Sequence, residues 1–200
     1  LCTMRYLLVC FVLFALTQCS TPPQTTVNPL GFIPAKPLAI LHTEDMESLV
    51  EFSNSQPQLS RFLAPLVSTE KHWLSFQGCI VSYHAEGVDD YKYLLIRPLA
   101  PLDSVPQLVG DTLRYENLPV IRFKKQSVDR YAVVHQNAYF ESDSKILLEN
   151  SIRLHTAPNR PDENLQKLYN SKSGPFQLFI NDRSQNLLAK KFKTAIPLNL

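Results

Sequence analysis

The sequence predicts an α+β domain, a mainly antiparallel sheet with helices packed on one face. Three observations predict it. Short runs rich in aromatic and β-branched residues recur along the chain. The links between most of them are too short for parallel crossovers. Between and after them lie stretches with apolar residues at helical spacing, opened by capping residues.

Residues 37–42 read as a short buried strand, and Thr43-Glu44-Asp45 supply a helix N-cap with acids in the first turn. The helix should run to about Ser53, with Met46, Leu49, Val50 and Ser53 as its core-facing stripe. A second helix is expected near Pro57, placing Leu59, Phe62, Leu63 and Leu66 on one face. Residues 73–84 and 91–97 form the clearest hairpin, with 85–90 at its tip. The stretch 104–113 reads as a helix with Val105, Leu108, Val109 and Leu113 on its apolar side. Three more strands follow at 119–123, 131–135 and 138–140.

Ser142 or Asp143 should cap a helix to about Leu154, with Ile146, Leu147, Asn150 and Leu154 sharing a side. A turn at 159–162, a short helix at 162–169 and a strand at 176–180 complete the order, before Asn181-Asp182 caps a last helix carrying Leu187, Leu188 and Phe192. The strand, cap and helix at 39–44 and beyond share their logic with 178–183 and beyond. Two readings stay open: a second repeat unit starting near 175 in a chain truncated at its C-terminus, or two ordinary strand-to-helix turns of one sheet.

Composition narrows the function classes. With 200 residues, 44% hydrophobic and 19% charged, the chain can fill a core and is not of the disordered class. A net charge of +2 is too small a surplus for the basic field that nucleic acid binding needs. Five glycines against 15 prolines argue against Gly-rich phosphate loops.

The opening reads as an export signal over residues 4–18: Met4, the cation Arg5, then an apolar run over 6–16. As a helix that run reaches only about 16 Å, against a bilayer core of about 30 Å. Leu16-Thr17-Gln18-Cys19 resembles the lipobox of bacterial lipoproteins, although Gln18 stands where a small residue is usual. The resemblance implies that Cys19 is lipidated and anchors the protein to a bilayer, with 19–32 as a tether and 33–200 as the folded body. The expected place is the bacterial cell envelope at the outer membrane. The alternative is ordinary cleavage after Thr17 and a soluble periplasmic protein. Of the other cysteines, Cys2 and Cys10 precede the body, and Cys79 inside it reads as a small buried hydrophobe with no disulfide partner.

The assembled order resembles the N-terminal region of large exported Bacteroidota proteins of a family without assigned biochemical function. The carrying residues are Cys19, the opening 33–49, Ile80-Val81-Ser82-Tyr83-His84 with Tyr93-Leu94-Leu95, the segment 138–153 and the strand 176–181. The most specific piece is 142–153. The resemblance implies location and architecture and brings no catalytic residue with it.

Chemistry-bearing constellations are sparse. The sequence lacks G-x-S-x-G, H-E-x-x-H and S-x-x-K with its partner motifs. His84, Glu86, Asp89 and Asp90 surround the hairpin tip, but acids beside Gly87 read as a solvated turn rather than a metal site. His42, His72, His135 and His155 are scattered and read as strand-end or surface residues. The basic groups Arg122-Lys124-Lys125 and Lys190-Lys191-Lys193 read as charged faces. Trp73, Phe76, Tyr83, Tyr91 and Tyr93 gather on one hairpin, where core packing is the plain reading and an exposed binding face of Trp73, Tyr83, Tyr91 and Tyr93 the sharper one.

The expectation is a non-catalytic envelope lipoprotein domain, an interaction or scaffolding module of a larger exported protein, with no catalytic residue, metal or cofactor. Its partners would be the bilayer, through acylated Cys19, and a protein, but not nucleic acid. The alternatives are a periplasmic ligand-binding or carrier domain and an accessory domain of a hydrolase whose active site lies beyond residue 200.

Overall fold

The computed structural model describes residues 28–55, 63, 77–87, 90–99, 108–125, 127–156, 163–171 and 174–181. A 3-10 turn, Pro29–Phe32, comes first among the described elements. It is followed by β1 (Ala39–Asp45), α1 (Met46–Ser55), β2 (Gln77–Glu86), β3 (Asp90–Pro98), β4 (Asp111–Tyr115), β5 (Leu118–Lys125), β6 (Val128–His135), β7 (Ala138–Ser142), α2 (Lys145–Thr156), α3 (Glu163–Asn170) and β8 (Phe176–Ile180). The strands form one eight-stranded sheet in the order β4-β5-β6-β7-β3-β2-β1-β8. Every neighbouring pair is antiparallel. The α+β, mainly antiparallel architecture is therefore the one observed.

Local chemistry accounts for the tight connections. Glu116-Asn117 joins β4 to β5, and Gln136-Asn137 joins β6 to β7, and all four residues have positive φ. Two consecutive positive-φ residues make the type I′ turn, whose twist matches that of the flanking strands. At the start of α1 the Asp45 carboxylate accepts from the backbone N–H of Glu47 at 2.9 Å and of Ser48 at 3.3 Å, so Asp45 is the cap.

The helices cover both faces of the sheet, which corrects the expectation that they pack on one. Successive strand residues point to opposite faces, yet residues 39–43 of β1, 93–97 of β3 and all of β7 are buried without alternation. A strand buried on both sides needs a layer on each. On one face Met46 and Leu49 of α1 meet Leu41, Cys79, Val81, Tyr83, Tyr93 and Leu95. On the other, Leu147, Leu148 and Ile152 of α2 join Leu30 and Phe32 of the 3-10 turn over Ile40, Ile80, Leu94, Ile96 and Phe140. Ser151 donates from α2 to the Phe32 carbonyl at 2.8 Å. Leu30 and Phe32 are thus core, although both fall in the segment 19–32 assigned to the tether.

Other differences have local causes. Residues 111–113, expected to be helical, belong to β4, because the turn at Glu116-Asn117 pairs them with β5 and tertiary pairing overrides helical spacing. The α2 cap is Ser144, whose hydroxyl accepts from the Leu147 N–H at 3.4 Å. Ser142 instead bonds the Tyr93 carbonyl, at 2.6 Å. The buried side of α2 is Leu147, Leu148, Ser151 and Ile152, while Ile146 is 69% exposed, so the predicted stripe is rotated. Of the second predicted helix only Leu63 is described, and it is buried. The export segment, Cys19, Trp73, the turn at 159–162 and the last predicted helix lie outside the described residues.

Candidate functional site

A cleft of about 480 Å³ opens at the end of the sheet where β1 and β3 finish and β2 begins. Pro29, His42, Glu44, Gly78, Cys79, Ile80, Pro98 and Tyr169 line it. His42 and Glu44 stand two apart on β1 and so project to one face. The His42 ring meets the Tyr169 ring of α3 edge-on, with centroids 4.7 Å apart. Gly78 has φ +76°, a conformation that favours glycine, and leaves the β2 backbone bare beneath Glu44. His42 is buried rather than at the surface, which corrects its reading as a strand-end or surface residue.

Hydrogen bonds brace the walls. Asn28 caps the 3-10 turn by accepting from the Leu30 N–H at 3.1 Å, and its amide donates to Gln166 of α3 at 3.1 Å. At the end of β1, the Glu44 N–H and the Thr43 hydroxyl both donate to the Pro175 carbonyl, each at 3.1 Å. The segment at Asn28 and the approach to β8 at Pro175 are thereby fixed to α3 and β1.

The opposite face holds a buried polar cluster. Tyr93 and Tyr139 donate to the two carboxylate oxygens of Glu141 at 2.7 and 3.0 Å. Burial, reinforced by the Glu141 charge, pushes both phenols well above the ordinary range. Arg97 stands opposite Tyr139 in the β3–β7 register and is buried. Arg130 lies over the Tyr93 ring at 4.8 Å and pairs with Asp143 at 3.5 Å. Asp143 also accepts from the Tyr93 N–H at 2.9 Å, and burial nevertheless raises its pKa.

The other reactive groups are likewise turned inward. His84 bonds Ser82 through Nε2 at 3.0 Å, and burial lowers its pKa to about 4. Ser82 is fully buried, so this pair is not presented to a substrate. The Cys79 thiol contacts the Met46 sulfur at 3.3 Å and is pushed up to about 12 by burial, against a smaller opposing pull from Arg97. Cys79 is thus the small buried hydrophobe the sequence indicated. At the hairpin tip, Glu86 and Asp90 pair with Lys92 at 3.2 and 3.6 Å. Among the described residues no group of three or more His, Cys, Asp or Glu could hold a metal ion.

The binding-face reading of the hairpin is corrected for two of its four residues. Tyr83 is 0% exposed and Tyr93 is 2% exposed, because the hairpin is central and its aromatic face lies beneath α1. Tyr91 is half-buried against Tyr83, with ring centroids 5.7 Å apart, and Trp73 lies outside the described residues. Sequence reasoning missed the Arg97 and Glu141 cluster. Its signal was a charge set inside an apolar strand run, at Ile96-Arg97 and at Phe140-Glu141.

No family model matches the chain, and no curated protein matches it. A solved structure does: crystal form I of TP0453, with a TM-score of 0.51 at 12% identity over 88% of this chain and 70% of that one. The likeness is one of fold. It supports the sheet architecture as a recurring arrangement and transfers no site. No helix among the described residues is long and apolar enough to cross a membrane.

Proposed function

We propose that this chain is a non-catalytic domain of a bacterial cell-envelope lipoprotein, an interaction or scaffolding module held at the outer membrane by acylated Cys19. The observation that carries the non-catalytic reading is the inward use of reactive side chains. Ser82 with His84, Tyr93 and Tyr139 with Glu141, and Cys79 with Met46 all bond within the fold. A catalytic group must reach a reacting atom within hydrogen-bond distance, and these reach one another.

With the central strands β1, β3 and β7 covered on both faces, the edges that the described residues leave unpaired offer a place for a protein partner. β4 pairs only with β5 and β8 only with β1 among the described residues, and β8 exposes Leu178 and Ile180. The anchor rests on Leu16-Thr17-Gln18-Cys19 following the apolar run. Acyl chains on Cys19 would contribute about 0.8 kcal/mol per buried CH₂, enough in pairs for stable attachment. The test is expression with its own export segment, fractionation and mass spectrometry of the N-terminus. The parent is expected in the membrane fraction with an acylated Cys19, and Cys19→Ser in the soluble periplasmic fraction. Parent and variant both soluble would overturn the anchor.

A further inference from the structure

We infer that the body meets the bilayer by one end, the end of the sheet where the 3-10 turn, α3 and the close of β1 come together, and that this end is its lipid-facing surface. The inference rests on the proposed anchor at Cys19 and adds an orientation to it. Two observations carry it: the length of the tether, and the place where the tether joins the fold.

From Cys19 the chain runs nine residues to Asn28. Whatever its conformation, that length spans at most about 32 Å. Asn28 is a fixed point. Its side-chain oxygen accepts from the Leu30 N–H at 3.1 Å, and its amide donates to Gln166 of α3 at 3.1 Å. Directly after it Pro29 lines the cleft with His42, Gly78 and Tyr169, and Leu30 and Phe32 are buried in the core. Tether and body therefore join where β1 finishes and β2 begins.

The far corner of the sheet lies beyond the tether's reach. Followed from β2 through β3, β7 and β6, the antiparallel register puts the turn between Lys125 and Val128 at the end away from the cleft. Along the strands, Gly78 to Glu86 of β2 covers about 26 Å. Across them, β5 is five strand spacings from β1, about 24 Å. The turn at Ser127 thus stands about 35 Å from the cleft. Even a fully extended tether would not lift the cleft end high enough for that corner to rest on lipid, and every less extended conformation brings the cleft end closer. The β5–β6 turn is left facing away from the membrane.

The test uses the processed protein in vesicles of phosphatidylethanolamine and phosphatidylglycerol, with a fluorophore on Lys167→Cys of α3 or on Ser127→Cys, both exposed positions. Cys79 stays unlabelled, being buried with a thiol pushed up to about 12. Energy transfer to a headgroup acceptor gives each label's distance from the membrane, and unchanged far-UV circular dichroism confirms folding. The label at 167 is expected nearer than the label at 127 by about 20 Å. A Gly-Ser insertion after Thr26 that extends the reach to about 100 Å should remove the difference. Equal distances, the reverse order, or a difference that survives the insertion, each with Cys19 acylated by mass spectrometry, would overturn the orientation and leave the anchor standing. A bare Cys19 with no transfer from either label would overturn the anchor, and the orientation with it.

Discussion

Gly110 precedes β4 with no room for a methyl group, because a Cβ there would run into the Arg122 carbonyl of β5. Its φ is ordinary, so the constraint is close approach rather than conformation. Gly110→Ala should force the two strands apart and cost about 1–3 kcal/mol, read as a lower urea midpoint. His84 makes stability depend on pH. Its folded pKa of about 4 lies below the ordinary 6.5, so the unfolded chain takes the proton first as pH falls. The stabilisation is present above pH 6.5 and is lost through the window down to about 4, with an amplitude of about 3 kcal/mol. His84→Gln should flatten that part of the acid limb, measured by urea unfolding at stepped pH. Glu141 anchors two phenols, and Glu141→Leu leaves both hydroxyls buried without it. That should cost about 2–5 kcal/mol, more than Tyr93→Phe, which removes one donor and keeps the carboxylate bonded to Tyr139.

Among the elements, the two I′ turns carry residues that tolerate positive φ less well than glycine does. Glu116-Asn117 replaced by Asn-Gly should stabilise the β4–β5 hairpin by about 0.5–1 kcal/mol, seen as a higher melting temperature. Elements were legible where their information is local. The hairpin, the strands at 119–123, 131–135, 138–140 and 176–180, the cap at Asp45 and the stripe of Met46, Leu49 and Ser53 all appear close to their expected positions. They were illegible where two local patterns compete. Val109 and Leu113 sit at helical spacing, yet Asp111–Tyr115 is a strand because its partner lies across a two-residue turn. The α2 cap is Ser144 because Ser142 belongs to β7, and the buried side is Leu147, Leu148, Ser151 and Ile152 because those residues meet the sheet and the 3-10 turn.

At the scale of the molecule, two apolar layers on opposite sides of one sheet make independent contributions to stability. Leu49→Ala opens a cavity under α1, and Leu148→Ala opens one under α2. Each should cost about 2–5 kcal/mol. Because the sheet separates them, the double variant should equal the sum within about 0.5 kcal/mol. A one-sided core would instead give strong coupling, so denaturant unfolding of the four proteins checks the architecture directly.

The chain by itself determined most of the stretches that pair as strands, β4 excepted, and that they pair antiparallel, because alternation, turn residues and short links act between neighbours in sequence. It did not determine that β7 would close onto β3 or that β8 would cross to the far side of β1. Nor did it determine that the helices would divide between the faces, since an amphipathic stripe says only that one side is buried and not against which surface. The cleft shows the same division: Pro29, His42, Gly78, Pro98 and Tyr169 are each unremarkable in sequence and become neighbours only when strand order brings distant segments to one end of the sheet.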